Sequence, residues 1–462
     1  MIVDCATFYN ELDILEIRLA ELYPVVDRFI LVEATVTHKG DPKPLYYARD
    51  RQRYADYNDK IIHVVAGDLP GGDTQAAIWR REIGQRQAIA RGLRDVPDDA
   101  VVMVSDLDEI PRREVVRYLA NGLPDDLIAT FDQTLYYGFV NKYCTNLRWS
   151  GTRATQAANV RALTPDGIRW ETLKPRSNEY PRHGRIENAG WHLSYFGDAE
   201  HIRQKMTSFL HQELVSEAST NLETIERRRL GTDDLWGRSE QVFAFGPASD
   251  LPWAIRCDPV KYAQYFHPDW APVFTEDWSQ GEQLAVVGHF AQVAPAEGAI
   301  VEIGAWEGRS TVCIAQSVAP RKVIAVDHWR GNEDELAAKG GDRAEPFVDF
   351  GVEAAKARDV HATFLRNMKL LTPENVWAYR GDWREWVAKW HEPIAFLHLD
   401  AAHDYQSVRD CLEAVKPHLV SGAVLCGDDY YGDGVHRAVN DALGAGVRDV
   451  GGRLWVWQNP KE

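Results

Sequence analysis

The sequence predicts two α/β domains in series, each built around a mainly parallel sheet. Two observations support this fold class: strand-like runs alternate with amphipathic stretches twice along the chain, and a proline-rich segment separates the two series. Such alternation is typical of parallel sheets, because consecutive parallel strands need a crossover helix between them. The length of 462 residues also exceeds what one hydrophobic core usually supports.

The first series contains four strand-like and two helix-like segments. In chain order they are IVDCATF, residues 11–26, RFILVEAT, KIIHVVAG, residues 75–93 and VVMVSDLDE. A region rich in Trp and Tyr follows at about residues 132–197, and a helical stretch covers about residues 198–229. These segments predict one α/β layer followed by a less regular part of the same domain.

Five prolines fall between residues 241 and 275, and no long periodic run crosses that segment. We therefore place a boundary near residue 272, which gives domains of residues 1–271 and 272–462. The second series then supplies six further strand-like segments, separated by helix-compatible stretches. They are AIVEIG, KVIAVD, NVWAYRGD, AFLHLD, AVLCGDD and RLWVWQ.

Composition disfavours several classes of protein. A formal net charge of −17 would repel a phosphate backbone, so we expect no nucleic-acid partner. Neither a signal-like start nor a long apolar run is present, so we expect a cytoplasmic protein without a transmembrane segment. The six cysteines lack the spacing of a zinc site or a disulfide framework, and we expect most of them to be buried. The oligomeric state is left open.

The second series carries a constellation suited to a nucleoside-containing cofactor. Gly304 and Gly308 lie where a strand turns into a helix, so that a ligand can approach the backbone closely. The next strand ends in Asp327, placed to accept hydrogen bonds from ribose hydroxyls, and the following one ends in Asp382, beside a tryptophan. The spacing differs from that of dinucleotide-binding turns, so no pyrophosphate need be bound there.

Residues from about 282 to 462 resemble a class I methyltransferase. The resemblance implies that S-adenosylmethionine is the cofactor, held by Glu302, Gly304, Gly308, Asp327 and Asp382. Within that group, LHLDAAHDY and LCGDDY resemble metal-dependent sugar O-methyltransferases. By that resemblance Asp400, Asp428 and Asp429 hold Mg²⁺, and His403 is the base.

The residues themselves agree with this interpretation. Three carboxylates at the ends of neighbouring strands form a hard-oxygen site suited to Mg²⁺. A metal-bound hydroxyl loses its proton more easily, and a nearby imidazole can accept that proton. The alternative is that Asp428 and Asp429 only cap a turn and that His403 is a surface residue.

In the first series, a buried strand runs directly into Asp106 and Asp108. Alternation places both carboxylates on the same side of the chain, so both can face one divalent cation, Mn²⁺ or Mg²⁺, that neutralises a nucleotide-sugar diphosphate. The alternative is a solvated acidic turn, which is common after a strand.

The longer blocks around this turn, including WRREIGQRQAIARGL, VSDLDEIPR and GWHLSYFG, resemble glycosyltransferase family 17 over about residues 1–270. The resemblance implies a nucleotide-diphospho-sugar transferase fold with a Rossmann-like sheet and inverting transfer of a sugar such as N-acetylglucosamine. It implies that Asp106 and Asp108 bind the metal and donor and take part in catalysis, and that His192 is a ligand or donor contact. Arg81 and Arg86 could meet the diphosphate or could be solvated helix charges.

The catalytic base of sugar transfer is left open among Glu33, Asp132 and Glu187, because inversion needs only a carboxylate or imidazole near the acceptor hydroxyl. Trp149, Trp170 and Trp191 either stack on sugar rings or lie in the core.

We therefore expect a bifunctional enzyme whose partners are a nucleotide-sugar donor, a glycan or saccharide acceptor and S-adenosylmethionine. One alternative is that the first half only binds glycan and presents it to the methyltransferase. Another is that the methyltransferase acts on a non-sugar substrate such as a catechol-like compound or a peptide.

Overall fold

The computed structural model describes residues 1–171, 182–208, 215–275, 279, 281–331, 346–401 and 403–460. The chain divides into two compact units. Unit 1 comprises Met1–Gly246, Leu251–Ala254 and Gln264–Trp270. Unit 2 comprises Pro247–Asp250, Ile255–Ala263 and Ala271–Glu462, so the chain passes between the units several times within the proline-rich segment.

Unit 1 contains the strands β1 to β9. Their bounds are β1 Ile2–Phe8, β2 Arg28–Ala34, β3 Ile61–Ala66, β4 Val101–Asp106, β5 Glu109–Pro111, β6 Leu127–Tyr137, β7 Lys142–Gln156, β8 Arg182–Ser194 and β9 Phe243–Phe245. Its α-helices are Leu12–Leu22, Tyr46–Arg49, Gln75–Gln87, Ile89–Gly92, Arg113–Leu119, Ala157–Leu163, Pro165–Glu171, Ala199–Ser208, Glu217–Thr220 and Leu222–Leu230. The four predicted strands are all present, and part of the helical stretch predicted for residues 198–229 lies outside the described residues.

The sheet of unit 1 has a parallel half and a mixed half. Its order is β3-β2-β1-β4-β7-β6-β8-β5, with β9 paired to β7. The strands β3, β2, β1 and β4 are parallel neighbours, whereas β7 runs antiparallel to both β4 and β6. The expected parallel sheet is therefore confined to the first four strands. The aromatic-rich region forms the long strands β6, β7 and β8, in keeping with the β preference of aromatic and β-branched residues.

Unit 2 contains the strands β10 to β16. They are β10 Ala299–Ile303, β11 Val323–Asp327, β12 Val376–Arg380, β13 Ile394–Leu399, β14 Leu419–Gly427, β15 Arg448–Gly451 and β16 Leu454–Gln458. The α-helices from the proline-rich segment onward are Trp253–Cys257, Gly281–Val293, Arg309–Val318, Pro346–Ala357, Val360–Leu371, Trp383–Lys389, Tyr405–Val415 and Asp433–Leu443. All six predicted strands are present, and β15 is an additional short strand at the edge.

The sheet of unit 2 has the order β12-β11-β10-β13-β14-β16-β15. The first five strands of that order are parallel, and β16 runs antiparallel to β14 and β15. The chain moves to one side from β10 and then returns to the other side at β13. In such sheets ligands bind in the crevice at the carboxyl ends of the two strands where this reversal occurs.

All six cysteines are buried and unbridged, as expected. The Sγ atoms of Cys257 and Cys313 lie 3.4 Å apart within unit 2. In the part of the chain that the structure describes, no helix is both long and apolar enough to cross a membrane.

Candidate functional sites

The turn from Asp106 to Asp108 lies at the carboxyl end of β4, and Glu109 opens β5 directly after it. β1 has β2 on one side and β4 on the other, so the strand order reverses between β1 and β4. The turn therefore lies where a doubly wound sheet binds its ligand.

Asp106 is paired with two arginines. Its Oδ1 lies 3.3 Å from Arg86 Nη2, and its Oδ2 lies 3.1 Å from Arg169 Nη2. Burial by itself would raise the pKa of this carboxyl, but the charges of Arg169 and Arg86 outweigh burial and lower it. Asp106 is thus held as a carboxylate, with 39 % of its side chain exposed.

Asp108 is paired with a lysine and a histidine. Its Oδ2 lies 2.9 Å from Lys205 Nζ, and its Oδ1 lies 3.4 Å from His192 Nε2. Burial would raise the pKa of Asp108, yet Lys205 and His192 lower it well below its usual range. Each of the four carboxylate oxygens of Asp106 and Asp108 therefore faces a nitrogen of the protein.

The surrounding ion-pair network has more carboxylates than permanent cations. Arg86 also pairs with Glu82 and Asp166, Arg169 also pairs with Glu109, and Lys205 also lies 3.4 Å from Glu11. In these pairs of described residues, three cations serve six carboxylates. The network carries an excess of negative charge even though each acid of the turn has a partner.

A buried arginine fixes the backbone of the turn. Arg18 is 1 % exposed, and its Nη1 donates hydrogen bonds to the carbonyl oxygens of Asp106, Leu107 and Glu109 at 3.0–3.1 Å. Its Nε and Nη2 donate to the Asp4 carboxylate at 2.8 and 2.6 Å. Because one planar guanidinium donates to three carbonyl oxygens, it fixes the backbone conformation of the turn.

The predicted donor contacts of unit 1 differ in their surroundings. Arg86 reaches Asp106, as described, and His192 reaches Asp108. Arg81 is 1 % exposed and donates to the carbonyl oxygens of His38, Pro70 and Gly72 at 2.6–3.0 Å. That placement favours a loop-holding role for Arg81, and its contact with a donor stays a prediction.

Among the ion pairs of the described residues, none links a candidate base to the acidic turn or to the cations around it. Glu33 is fully buried against His63 and Lys43, Asp132 pairs with Arg185, and Glu187 is exposed. The catalytic base of sugar transfer therefore stays unassigned.

Of the three predicted sugar-stacking aromatics, Trp149 lies at the turn. Its ring centroid is 4.6 Å from that of His192, and its Nε1 donates to Glu109 Oε1 at 2.6 Å. Trp191 is buried in the core, and Trp170 is partly exposed.

A cavity of about 290 Å³ is lined in part by Lys205, the partner of Asp108. Tyr9 and Asn10, which follow β1, form part of its wall, as do Thr37, which lies beyond the end of β2, and Lys205. Since Lys205 also contacts Asp108, the cavity and the acidic turn share a wall residue.

In unit 2, the turn after β10 leaves no room for side chains. Gly304 has φ +94°, and a Cβ there would lie 2.0 Å from the carbonyl oxygen of Asp400. Gly308 has φ +87°, and a Cβ there would lie 2.3 Å from Met368 Cε. Both positions have positive φ and therefore favour glycine, and at Gly304 the missing side chain lets the β10 turn lie against the end of β13.

Asp327 and Asp382 close the ends of their strands. Asp327 Oδ2 accepts a hydrogen bond from the backbone N–H of Trp306 at 2.8 Å, and its Oδ1 accepts one from Trp329 N–H at 2.6 Å. Asp382 caps the helix Trp383–Lys389 by accepting from Arg384 N–H at 2.7 Å. Each carboxylate oxygen has a second lone pair, so both residues can still accept from a ligand.

Glu302 lies beneath this site and does not form part of the cavity wall. It is fully buried, accepts a hydrogen bond from Thr311 Oγ1, and lies 2.9 Å from His398 Nδ1. Burial would lower the pKa of His398, but the hydrogen bond and charge of Glu302 raise it. This placement favours a supporting role for Glu302, and a direct cofactor contact stays a prediction.

A cavity of about 270 Å³ unites most of the residues predicted for methyl transfer. Its wall includes Gly304, Asp327, Asp382, Asp400, His403, Asp428 and Asp429. The residues predicted to bind the cofactor, the metal and the transferred proton therefore line one cavity, where the strand order of the sheet reverses.

Three side chains in this cavity could share a metal ion. Ligand atoms of Asp400, His403 and Asp429 all lie within 4.8 Å of one another, and His403 Nε2 is 2.8 Å from Asp429 Oδ2. This group differs from the predicted ligand set, since it contains His403 in place of Asp428. Asp428 lies beside it and accepts a hydrogen bond from Asp429 N–H at 2.7 Å.

The carboxylates of this group are crowded. Burial, followed by the charge of Asp428, raises the pKa of Asp400 to about 6, and burial likewise raises the pKa of Asp428. Arg453, in the turn between β15 and β16, forms an ion pair with Asp429 and lies 3.9 Å from Asp428. The pKa values of both acids are thus raised in spite of that arginine, by burial and, for Asp400, also by the charge of Asp428.

Several residues of the two sites carry no signal in the sequence. Arg169 and Lys205 reach the acidic turn from helices more than sixty positions further along the chain, and Arg453 reaches Asp429 from a hairpin. Arginines and lysines on helices are common surface residues, so only the folded chain distinguishes these three.

Family models match both halves of the chain. The model of glycosyltransferase family 17 matches residues 1–245, and a methyltransferase-domain model matches residues 301–430. The first match covers all residues of the acidic turn, and the second covers Glu302 through Asp429.

Curated relatives of the first half share one description, a β-1,4-mannosyl-glycoprotein 4-β-N-acetylglucosaminyltransferase. The human protein is 27 % identical over 230 residues, which cover 45 % of this chain and 43 % of the relative. The rat protein is also 27 % identical over 230 residues, covering 45 % of this chain and 42 % of the relative. The alignment thus spans less than half the length of these relatives.

Solved structures similar to this chain include O-methyltransferases. NovP is 16 % identical with a TM-score of 0.34, covering 45 % of this chain and 97 % of NovP. CalS11, a TDP-rhamnose 3'-O-methyltransferase of calicheamicin biosynthesis, is 20 % identical with a TM-score of 0.26, covering 38 % of this chain and 79 % of CalS11. Likeness at this level carries no information about substrate.

Proposed function

Since the chain belongs to glycosyltransferase family 17 and also carries a methyltransferase domain, we propose that it is a bifunctional glycan-modifying enzyme. Unit 1 would transfer N-acetylglucosamine, with inversion, from a nucleotide-sugar donor to a glycan or saccharide acceptor. Unit 2 would methylate a sugar hydroxyl with S-adenosylmethionine. The proposal rests on the family match of unit 1 and on the cavity of unit 2, which is lined both by residues predicted to bind the cofactor and by residues predicted to bind the metal.

For unit 1, the position of the acidic turn supports a donor site. The turn and the cavity of about 290 Å³ both lie at the carboxyl ends of parallel strands, where such sheets bind nucleotides. The excess of carboxylates means that a diphosphate would be repelled unless a cation accompanied it. The carboxylates of Asp106 and Asp108 suit Mn²⁺ or Mg²⁺, which when bound would neutralise the charge of the leaving nucleotide diphosphate.

For unit 2, the arrangement of the cavity supports methyl transfer. Asp327 would accept hydrogen bonds from ribose hydroxyls, Asp382 and Trp383 would flank the base, and the close turn at Gly304 would admit the cofactor to the backbone.

The acidic group of unit 2 fits a divalent cation. Its ligand atoms lie close together, and burial raises the pKa values of Asp400 and Asp428, so that a bound cation would stabilise their ionised forms. Asp400 and Asp429, with Asp428 beside them, would hold Mg²⁺, which when bound would acidify an acceptor hydroxyl.

His403 would take the proton of that hydroxyl at Nε2. Because Mg²⁺ prefers oxygen ligands, the imidazole stays available for this task, whereas a softer metal would recruit it as a ligand. The proximity of His403 Nε2 to Asp429 is compatible with both roles.

Product analysis tests the proposal. The full chain would be incubated with a glycan panel, UDP-N-acetylglucosamine, S-adenosylmethionine and Mn²⁺ or Mg²⁺, and the products examined by mass spectrometry. We expect products heavier by one N-acetylhexosamine residue, by one methyl group, or by both. Methylated products without sugar transfer or UDP release would instead support a glycan-binding first half, and methylation of catechols or peptides alone would contradict a sugar acceptor.

A further inference from the structure

Lys205 links the acidic turn of unit 1 to the neighbouring cavity. It lies on the helix Ala199–Ser208, and 23 % of its side chain is exposed. Its ammonium is 2.9 Å from Asp108 Oδ2 and 3.4 Å from Glu11 Oε1. The same side chain forms part of the wall of the cavity of about 290 Å³.

Lys205 differs from the other two cations of the network in its exposure and in the flexibility of its side chain. Arg86 and Arg169 are almost fully buried, and each holds two or more carboxylates with a planar guanidinium. Lys205 is partly exposed, and its charge sits at the end of a flexible four-carbon chain. Because this side chain also lines the cavity, rotation about its bonds can turn the ammonium from Asp108 toward the cavity.

In its present position, Lys205 occupies the space that a cation bound to Asp108 would need. A divalent cation and an ammonium cannot both approach Oδ2 closely, because their charges repel each other. Displacement of Lys205 would separate its ammonium from Asp108, the nearer of its two carboxylate counterions in the described ion pairs. A diphosphate in the cavity would provide a new one.

We propose that Lys205 guards Asp108 in the free chain and moves to the diphosphate of the donor when a divalent cation binds, so that cation and nucleotide bind together. This inference rests on the proposed function of unit 1. It makes Lys205 a donor-binding residue and makes the cation affinity of the free site low.

Replacing the lysine should therefore change two affinities in opposite directions. In Lys205→Gln, Mn²⁺ binding in the absence of nucleotide, measured by the electron paramagnetic resonance signal of free Mn²⁺, should tighten several-fold. UDP binding in saturating Mn²⁺, measured by calorimetry, should weaken by about 10-fold or more, the scale of a lost charge-assisted contact. Subtracting the titration of the corresponding Asp108→Ala chain isolates this site from any other Mn²⁺ site.

Two further variants complete the test. Arg203 lies on the same helix, and in the described ion pairs its partner is the exposed Glu200. Arg203→Gln is therefore the control and should change neither affinity. Lys205→Met should repeat both shifts of Lys205→Gln, so the inference remains testable if one variant does not fold. If both affinities fell together, or if neither changed, Lys205 would be a structural residue and the inference would be wrong. If the wild-type chain bound no UDP with Mn²⁺, the proposed function of unit 1 would fail instead.

Discussion

Each unit places acidic side chains at the carboxyl end of a strand, but the two sets have opposite electrostatic surroundings. In unit 1 the pKa values of Asp106 and Asp108 are lowered, because Arg169 and Arg86 face the first carboxylate and Lys205 and His192 face the second. In unit 2 the pKa values of Asp400 and Asp428 are raised by burial, and for Asp400 also by its acidic neighbour. Aspartates at the carboxyl ends of strands in the two sheets thus have pKa values shifted in opposite directions before any ligand binds.

The difference has a consequence for how each unit acquires a metal. Asp400 and Asp428 of unit 2 have raised pKa values and would be stabilised as carboxylates by a cation, so a divalent cation should bind there without help from a small ligand. The acids of unit 1 have partners that must be displaced, so a cation should bind there only when a diphosphate supplies further ligands and receives Lys205. We expect independent metal binding in unit 2 and nucleotide-coupled binding in unit 1.

The largest effect is expected from removing a carboxylate in unit 2. Asp400→Asn should lower the rate of methyl transfer by roughly 10³-fold, because the cation that acidifies the hydroxyl would be lost. S-adenosylmethionine affinity, measured by calorimetry, should stay within a few-fold, and UDP binding should not change. Normal methylation by Asp400→Asn, or by the wild-type chain in the presence of EDTA, would show that no metal acts there.

A second prediction concerns the buried arginine of unit 1. Arg18→Met should destabilise unit 1 by about 3–5 kcal/mol, because it leaves Asp4 buried without a partner and frees three carbonyls of the turn. Denaturant unfolding followed with UDP and Mn²⁺ binding would measure this loss, while S-adenosylmethionine binding should persist.

The matched control is Arg182→Met, which breaks an equally well-aligned pair with Asp126 at the surface. Unfolding should hardly change in that variant, because exposed ion pairs are screened by water. Equal effects of the two substitutions would show that burial of the Arg18 pair is unimportant.

The smallest effect is expected at Arg453, which in the ion pairs of the described residues is the arginine beside Asp428 and Asp429. Arg453→Gln should tighten Mg²⁺ or Mn²⁺ binding in unit 2 by a few-fold, because its guanidinium competes for Asp429. Arg437→Gln removes an exposed cation of the same unit that pairs with Asp433, and is the control. Weaker cation binding in Arg453→Gln would mean that this arginine supports the metal site instead of competing with it.

The sequence predicted the parts of the sites that depend on strand ends. Asp106, Asp327 and Asp400 could be placed at a sheet edge because apolar strands ending in a polar residue identify that edge. The state of those acids could not be predicted, because it depends on Arg169, Lys205 and Arg453, which only tertiary folding brings near. Glu302 illustrates the same limit, since its place in a motif does not reveal that its buried carboxylate pairs with His398.

The most direct test of the contrast is a count of Mn²⁺ ions bound to the full chain under three conditions: alone, with UDP, and with S-adenosylhomocysteine. The predicted result is a single tightly bound Mn²⁺ for the chain alone, lost in Asp400→Asn and unaffected by S-adenosylhomocysteine. Addition of UDP should create a second tight site, lost in Asp108→Ala. Two tight sites in the absence of UDP, or a first site that disappears in Asp108→Ala and persists in Asp400→Asn, would contradict the account.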